Sequence, residues 1–155
     1  MKVLFICTGN TCRSVMAEFM VKKLAQEKGL DWEAGSCGLA AERYFQIPPG
    51  VRKALKAVGV EAVSHVPQLA TRELLAWADL ALAMTQGHRE ALAGEFPEFE
   101  RKLHVLRAYA GLPDPDIEDP IGQPDPVYAA CRDRIREALE ALIAREQKAE
   151  AKEGK

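Results

Sequence analysis

The sequence predicts an α/β domain with a mainly parallel sheet. Strand-like and helix-like segments alternate along the chain, which is the order that parallel α/β domains require. Residues 3–6 form an apolar run typical of a strand buried on both faces, and a helix-like segment follows after a short loop. A chain of 155 residues suits one domain with one core.

The first half of the chain contains two predicted strands and two predicted helices. The strand at residues 3–6 is followed by a helix over 14–28, which ends at Gly29, a residue that commonly caps helices. A weaker strand is predicted over 32–37 and a short helix over 51–58. This half therefore begins with the strand, helix, strand order of a parallel unit.

The second half continues the same alternation. Thr71 is suited to cap a helix over 72–77, because its side chain can accept a free backbone amide. A strand over 79–84, a helix over 87–93 and a short strand over 103–106 follow. We expect the carboxyl ends of these strands to carry the ligand site.

The last third combines a proline-rich segment with one long helix. Residues 111–126 hold five of the nine prolines and are predicted to be irregular. From residue 127 onward, apolar residues at helical spacing predict one buried face, formed by Val127, Cys131, Ile135, Leu139, Leu142 and Ile143. The domain is predicted over residues 1–147. The tail at 148–155 has no apolar stripe and is predicted to fray.

The loop between the first strand and the first helix carries the chemistry. It consists of Cys7, Thr8, Gly9, Asn10, Thr11, Cys12 and Arg13, followed by Ser14. Loop amides and a helix N-terminus attract an anion, and they favour the thiolate form of a cysteine that lies among them. Arginine binds two phosphoryl oxygens at once. The loop therefore predicts hydrolysis of a phosphate ester through a cysteinyl-phosphate, with Cys7 as nucleophile.

The residues of this loop fit two other binding functions less well. A nucleotide-binding P-loop needs Gly-Lys-Ser/Thr, and lysine is absent here. A zinc site would need a second cysteine pair, whereas Cys37 and Cys131 stand alone in the sequence. Cys7 and Cys12 could also be buried cysteines without chemistry.

Composition and charge limit the classes of partner and the cellular compartment that we expect. The net charge is −2, which gives no general attraction to nucleic acid. No apolar stretch reaches membrane-spanning length, and Met1 and Lys2 lead straight into the first strand. We therefore expect a cytoplasmic protein, with its four cysteines reduced rather than paired in a disulfide framework.

A thiolate mechanism also needs a general acid to protonate the leaving group. Carboxylates cluster in the proline-rich segment, namely Asp114, Asp116, Glu118, Asp119 and Asp125. Among the histidines, His65 lies in a loop, whereas His88 and His104 lie in a predicted helix and strand. The residues alone select none of these acids.

The chain resembles the low-molecular-weight protein-tyrosine phosphatases over nearly its whole length. The resemblance lies in residues 3–14, the turn at 34–36, the strand at 78–84 and the segment at 119–122. It implies a four-stranded parallel sheet flanked by helices, with a phosphate-binding loop after the first strand. It also implies a phosphorylated protein as substrate and no metal or other cofactor. For the oligomeric state, which the sequence leaves unknown, we expect a monomer.

The resemblance assigns roles to individual residues. Cys7 would be the nucleophile, Arg13 the phosphate clamp, and the general acid would be the aspartate of an Asp-Pro pair. Three such pairs are present, and the hydrophobic-glycine step that follows the pair in the family favours Asp119. The loop residues that would bind the substrate are Thr8, Gly9, Asn10, Thr11, Cys12 and Ser14.

Supporting roles follow from the same resemblance. Ser14 would hydrogen-bond Cys7, and Asn10 would adopt a left-handed conformation and contact Ser36 and His65. Cys12 would pair reversibly with Cys7 under oxidation, which makes a redox-sensitive enzyme.

Three residues depart from the common family pattern. Val15 stands where the family usually has proline, and we expect no change in chemistry from it. Ile121 follows the Asp-Pro pair where tyrosine phosphatases carry an aromatic residue. The third is Thr11, and the loop with threonine at this position resembles the loop of the family branch that acts on phosphoarginine in proteins. The choice between phosphotyrosine and phosphoarginine is open at this stage.

Two further functions compete with the phosphatase. An arsenate reductase coupled to thioredoxin would need two more cysteines after the third strand, and residues 84–99 contain none. A binding module that holds phosphoproteins without turnover would not need Cys7.

Overall fold

Four parallel strands form the sheet at the centre of the computed structural model, which describes residues 1–154. The strands lie in the order β2-β1-β3-β4. In chain order they are β1 (Lys2–Cys7), β2 (Glu33–Gly38), β3 (Leu80–Ala83) and β4 (Leu103–Val105). The predicted α/β fold with four parallel strands is confirmed, and the first strand occupies a central position in it.

Helices cover both faces of the sheet. They are α1 (Arg13–Glu27), α2 (Pro49–Lys56), α3 (Arg72–Trp77), α4 (Gln86–Glu95), α5 (Leu106–Tyr109) and α6 (Asp125–Glu153), with a 3-10 helix (Pro97–Lys102) before β4. Thr71 caps α3 as predicted, since its side chain accepts a hydrogen bond from the Leu74 amide at 3.2 Å. Over the described residues, every helix is too short or too polar to cross a membrane.

The side chains of β1 alternate between two core layers. Val3 and Phe5 pack with residues of α1, α2 and α6 on one face of the sheet. Leu4 and Ile6 pack with residues of α3 and α4 on the other face. Burial on both sides explains why this strand is apolar at every position.

The long helix α6 differs from its prediction in two places. Val127 was predicted to be buried, but it is 40% exposed, and the neighbouring Tyr128 is buried instead. The Tyr128 ring packs so closely on Gly50 of α2 that a Cβ at Gly50 would overlap it. The helix also continues to Glu153, although fraying was predicted from residue 148, because alanine, glutamate and lysine favour helix without packing. Lys155, the last residue of the predicted tail, lies outside the described residues.

Candidate active site

The phosphate-binding loop connects the carboxyl end of β1 to α1. Cys7 is the last residue of β1, and α1 begins at Arg13. The loop is fixed to the segment after β2, because the Leu39 amide donates to the Cys7 carbonyl at 3.0 Å and the Ala40 amide donates to the Thr8 carbonyl at 2.9 Å. The thiol therefore lies where parallel sheets bind ligands.

A chain of hydrogen bonds leads to the thiol. The Asn10 amide donates to Ser14 Oγ at 2.8 Å, and Ser14 Oγ lies 2.9 Å from Cys7 Sγ. Because the Asn10 amide occupies an acceptor position on Ser14, the Ser14 hydroxyl hydrogen can point at the sulfur. Ser14 is thus placed to donate to a thiolate at Cys7, as the resemblance implied.

Asn10 holds the loop through three further contacts. Its backbone is left-handed, with φ of 58°, as expected. Its side-chain amide donates to Ser36 Oγ at 2.9 Å, and its side-chain oxygen accepts from the Gln68 amide at 3.0 Å. The Asn10 carbonyl lies 2.9 Å from His65 Nε2. A carbonyl only accepts, so His65 donates from Nε2, and the expected contacts to Ser36 and His65 are present.

Two polar residues near this loop, the buried Glu18 and the exposed Gln68, could not be assigned a role from the sequence. Glu18 of α1 accepts a hydrogen bond from Ser36 Oγ at 2.6 Å and is paired with Lys22 at 2.6 Å. Gln68 donates from its side chain to the Ser36 carbonyl at 2.9 Å. Glu18 carried a usable signal, since it is an acidic residue on the apolar face of a helix. Gln68 lies in a loop and carried none.

Arg13 is almost completely buried beneath the cleft. Its Nη1 donates to the Ile117 carbonyl at 2.9 Å, and its Nη2 lies 3.6 Å from Asp119 Oδ2. Its Nε is buried and has no hydrogen-bond partner among the described residues. A buried guanidinium with an unpaired N–H donor is suited to an anionic ligand.

Asp119 is the acid of the proline-rich segment that the fold brings to Arg13. Its side chain is 41% exposed, and its Oδ1 accepts a hydrogen bond from the Ile121 amide at 3.1 Å. Other candidates are engaged elsewhere, since Asp116 accepts from the Gln86 amide at 2.8 Å and Asp125 pairs with Lys53 at 3.1 Å. Asp114 and Glu118 line a separate polar cleft.

A cleft of about 430 Å³ opens above the loop. It is lined by Thr8, Gly9, Thr11, Ala40, Phe45, Gln46, Asp119 and Ile121. Phe45 stacks edge-to-face on the exposed Tyr44, with ring centroids 5.1 Å apart. The cleft thus combines one aromatic wall, hydroxyl groups and one carboxylate.

The second cysteine of the loop is buried and free. Burial raises the pKa of Cys12 to about 11, so this residue is a neutral thiol near pH 7. Cys7 and Cys12 are both reduced in this structure, and the reversible disulfide between them stays a prediction. Over residues 1–154, the His, Cys, Asp and Glu side chains form no group of three or more that is suited to a metal ion.

His88, which the sequence places in a predicted helix, lies at the site. Its Nε2 is 2.8 Å from Thr8 Oγ1, and the residue is 7% exposed. Burial and the neighbouring Arg13 guanidinium lower the pKa of His88 to about 4. The imidazole is therefore neutral at physiological pH.

Gly38 allows the loop to approach the end of β2. A Cβ at this position would overlap the Thr8 carbonyl and lie 3.0 Å from the Asn10 amide nitrogen. We expect Gly38→Ala to lower the free energy of unfolding by about 1–3 kcal/mol and to reduce kcat/KM, because the loop must move. Urea denaturation and steady-state kinetics measure the two effects.

A second glycine provides the control for this substitution. Gly94 of α4 has open space where a Cβ would lie. Gly94→Ala should leave activity unchanged and raise stability by about 0.5–1 kcal/mol. Equal behaviour of the two variants would show that close approach at Gly38 does not matter.

Comparison with known proteins places this geometry in a family. A family model described as low molecular weight phosphotyrosine protein phosphatase matches residues 2–153. The protein-arginine-phosphatase of Bacillus subtilis is 37% identical over 142 residues, covering 92% of this chain and 94% of that protein. A structure of YwlE arginine phosphatase, a cysteine-to-serine mutant with a phosphorylated active-site serine, is 35% identical. It aligns with a TM-score of 0.91 and covers 96% of this chain and 97% of that one.

Arsenate reductases are less similar relatives. Arsenate reductase 1 of Bacillus cereus is 32% identical over 133 residues, covering 86% of this chain and 87% of that protein. In the present chain, Cys37 and Cys131 lie in the two different core layers, on opposite faces of the sheet. They are therefore not placed to relay a disulfide to each other. The chain belongs to the low molecular weight phosphotyrosine protein phosphatase family.

Proposed function

We propose that this protein hydrolyses phosphoarginine in proteins through a cysteinyl-phosphate at Cys7. The observation that carries this proposal is the cleft above the loop, where Thr11 and Asp119 line the same space. A guanidinium is a dense array of N–H donors, and both groups offer oxygen acceptors for it. The 37% identity to a protein-arginine-phosphatase supports the same substrate.

In the first step, the Cys7 thiolate attacks phosphorus, an S–P bond forms and the P–N bond breaks. Asp119 gives its proton to the departing guanidine nitrogen, and the product guanidinium faces the resulting carboxylate. Arg13 and the loop amides bind the phosphoryl oxygens, on which charge accumulates. The unpaired Arg13 Nε donor supports this role.

In the second step, water displaces the thiolate from phosphorus. Asp119, now a carboxylate, removes a proton from that water, the S–P bond breaks and inorganic phosphate leaves. Ser14, at 2.9 Å from the sulfur, stabilises the thiolate that leaves in this step. The enzyme returns to its starting state without a cofactor.

Phosphotyrosine is the second candidate substrate. Phe45 lines the cleft and is supported edge-to-face by Tyr44, which offers an apolar wall to a phenyl ring. The family description also names phosphotyrosine. The two substrates place opposite demands on Thr11, since guanidinium gains from a hydroxyl and a phenyl ring gains from an apolar side chain.

We expect Thr11→Ile to lower kcat/KM on phosphoarginine peptides by about tenfold or more, because the variant removes an acceptor for the guanidinium. The same variant should leave kcat/KM on phosphotyrosine peptides unchanged or raise it. Thr11→Ser, which keeps the hydroxyl, is the control and should retain the preference for phosphoarginine. A wild-type preference for phosphotyrosine that Thr11→Ile does not alter would refute the proposed substrate.

A further inference from the structure

The Thr8 side chain is contacted by the side chains of two buried residues, His88 and Arg13. His88 Nε2 is 2.8 Å from Thr8 Oγ1, and Arg13 Nη2 lies 3.4 Å from the same oxygen. His88 and Arg13 are 7% and 5% exposed, whereas Thr8 itself lines the cleft. Two buried groups therefore meet one hydroxyl at the boundary between the protein interior and the substrate space.

The hydrogen atoms in this group can be assigned from its chemistry. A hydroxyl has one hydrogen to donate and two lone pairs to accept with, and a guanidinium only donates. His88 is neutral, so one ring nitrogen carries the proton. Nδ1 of His88 is buried without a partner among the described residues. A proton there would create an unsatisfied buried N–H group, which proteins rarely tolerate, so the proton is assigned to Nε2.

It follows that both lone pairs of Thr8 Oγ1 are occupied, one by His88 and one by Arg13. The hydroxyl hydrogen must then point away from both donors. Because Thr8 lines the cleft, the cleft is the open space available to this hydrogen. In this state the hydroxyl can donate a hydrogen bond to an acceptor oxygen in the cleft.

We propose that His88 is a positioning residue that turns the Thr8 hydroxyl into the cleft, where it donates a hydrogen bond to the phosphoryl group of the substrate. The proposal rests on the proposed phosphatase function and assigns the Thr8 side chain a role of its own beside the loop amides. It also explains why a histidine is buried so close to Arg13. A neutral ring contributes a directed N–H donor without a second positive charge.

The position of His88 is fixed by the first turn of α4. Thr85 caps this helix by accepting a hydrogen bond from the His88 amide at 3.1 Å. The same turn holds the proline-rich segment, because Asp116 accepts from the Gln86 amide and the Ile117 amide donates to the Met84 carbonyl at 3.0 Å. The imidazole is therefore held rigidly relative to both the phosphate-binding loop and the loop of the general acid.

A double-mutant cycle tests whether His88 acts through Thr8. The variants are Thr8→Val, His88→Phe and their combination, and the measurements are kcat, KM and the inhibition constant of inorganic phosphate. Thr8→Val should weaken phosphate inhibition and lower kcat/KM about tenfold, the value of one hydrogen bond to a charged group. His88→Phe should have a smaller effect of the same kind. The double variant should have the same kcat/KM and the same inhibition constant for phosphate as Thr8→Val alone.

Conservative variants separate the hydrogen bonds from packing. His88→Gln keeps an N–H donor, Thr8→Ser keeps the hydroxyl, and both should restore most of the phosphate affinity. If His88→Phe does not fold, His88→Asn replaces it, because its amide is too short to reach Thr8. His104→Phe is the matched control, since His104 packs on Tyr109 away from the cleft.

Three results would overturn the proposal. They are two single effects that multiply in the combined variant, phosphate inhibition that Thr8→Val leaves unchanged, and a His88→Gln variant that behaves like His88→Phe at equal stability. Each of these requires an active wild-type enzyme. An inactive wild type would instead refute the proposed function.

Discussion

Cys7→Ser should abolish turnover of p-nitrophenyl phosphate, with a fall in kcat of about 10⁴-fold or more. The thiolate is the attacking group, and its surroundings supply a hydrogen-bond donor, Ser14 Oγ at 2.9 Å, which stabilises a negative sulfur. A serine hydroxyl at the same place would first have to lose its proton. A neutral hydroxyl is a weak nucleophile, so the covalent step should become very slow.

Binding of phosphate should survive this substitution. Arg13 and the loop that Asn10 holds do not depend on the sulfur atom, so isothermal titration with inorganic phosphate should still detect binding. Cys131→Ala is the matched control, because Cys131 lies on the buried face of α6 and its loss should not affect turnover. Substantial activity in Cys7→Ser, or loss of activity in Cys131→Ala, would contradict the assignment of the nucleophile.

Asp119→Ala should slow the hydrolysis of esters with poor leaving groups more than that of esters with good ones. The alkoxide or unsubstituted phenoxide of a poorly reactive ester needs a proton in order to leave. For such esters, kcat should therefore fall about 10²–10³-fold. p-Nitrophenolate leaves without help, so its release should be affected far less. The physical reason is the position of Asp119, which lines the cleft and lies 3.6 Å from Arg13.

The rates for a series of substituted phenyl phosphates measure this effect. The variant should show a steeper dependence of kcat on the pKa of the leaving phenol than the wild type does. Asp116→Ala is the control, because the Asp116 side chain accepts from the Gln86 amide. If Asp116→Ala steepened the dependence and Asp119→Ala did not, the general acid would have to be reassigned.

Features of the fold that neighbouring residues or a local apolar pattern determine could be predicted from the sequence. Thr71 accepts an amide three residues away, and β1 is apolar because helices cover both its faces. The first turn of α6 could not be predicted in the same way. Whether Val127 or Tyr128 turns inward depends on Gly50, which is distant in sequence and leaves space for a ring.

The residues of the site also divide into those that a local sequence pattern predicts and those that depend on residues distant in sequence. Cys7, Asn10, Arg13 and Ser14 lie within one short segment, and their spacing was informative by itself. Asp119 could be selected only through the family resemblance, because five acids of the same segment were chemically equivalent in sequence. His88 was missed because its partner Thr8 is 80 residues away, and a histidine in a short helix gives no sign of such a contact.

The central position of β1 has a consequence for biosynthesis. This strand is made before the rest of the sheet, yet one of its edges must wait for β3, which is made much later. Arg13 must wait longer still, because its partner Ile117 lies 104 residues downstream. A nascent chain therefore carries Cys7 long before Ile117 and Asp119, the partners of Arg13, have been made. The site should therefore be assembled only after residues 117–119 have been synthesised.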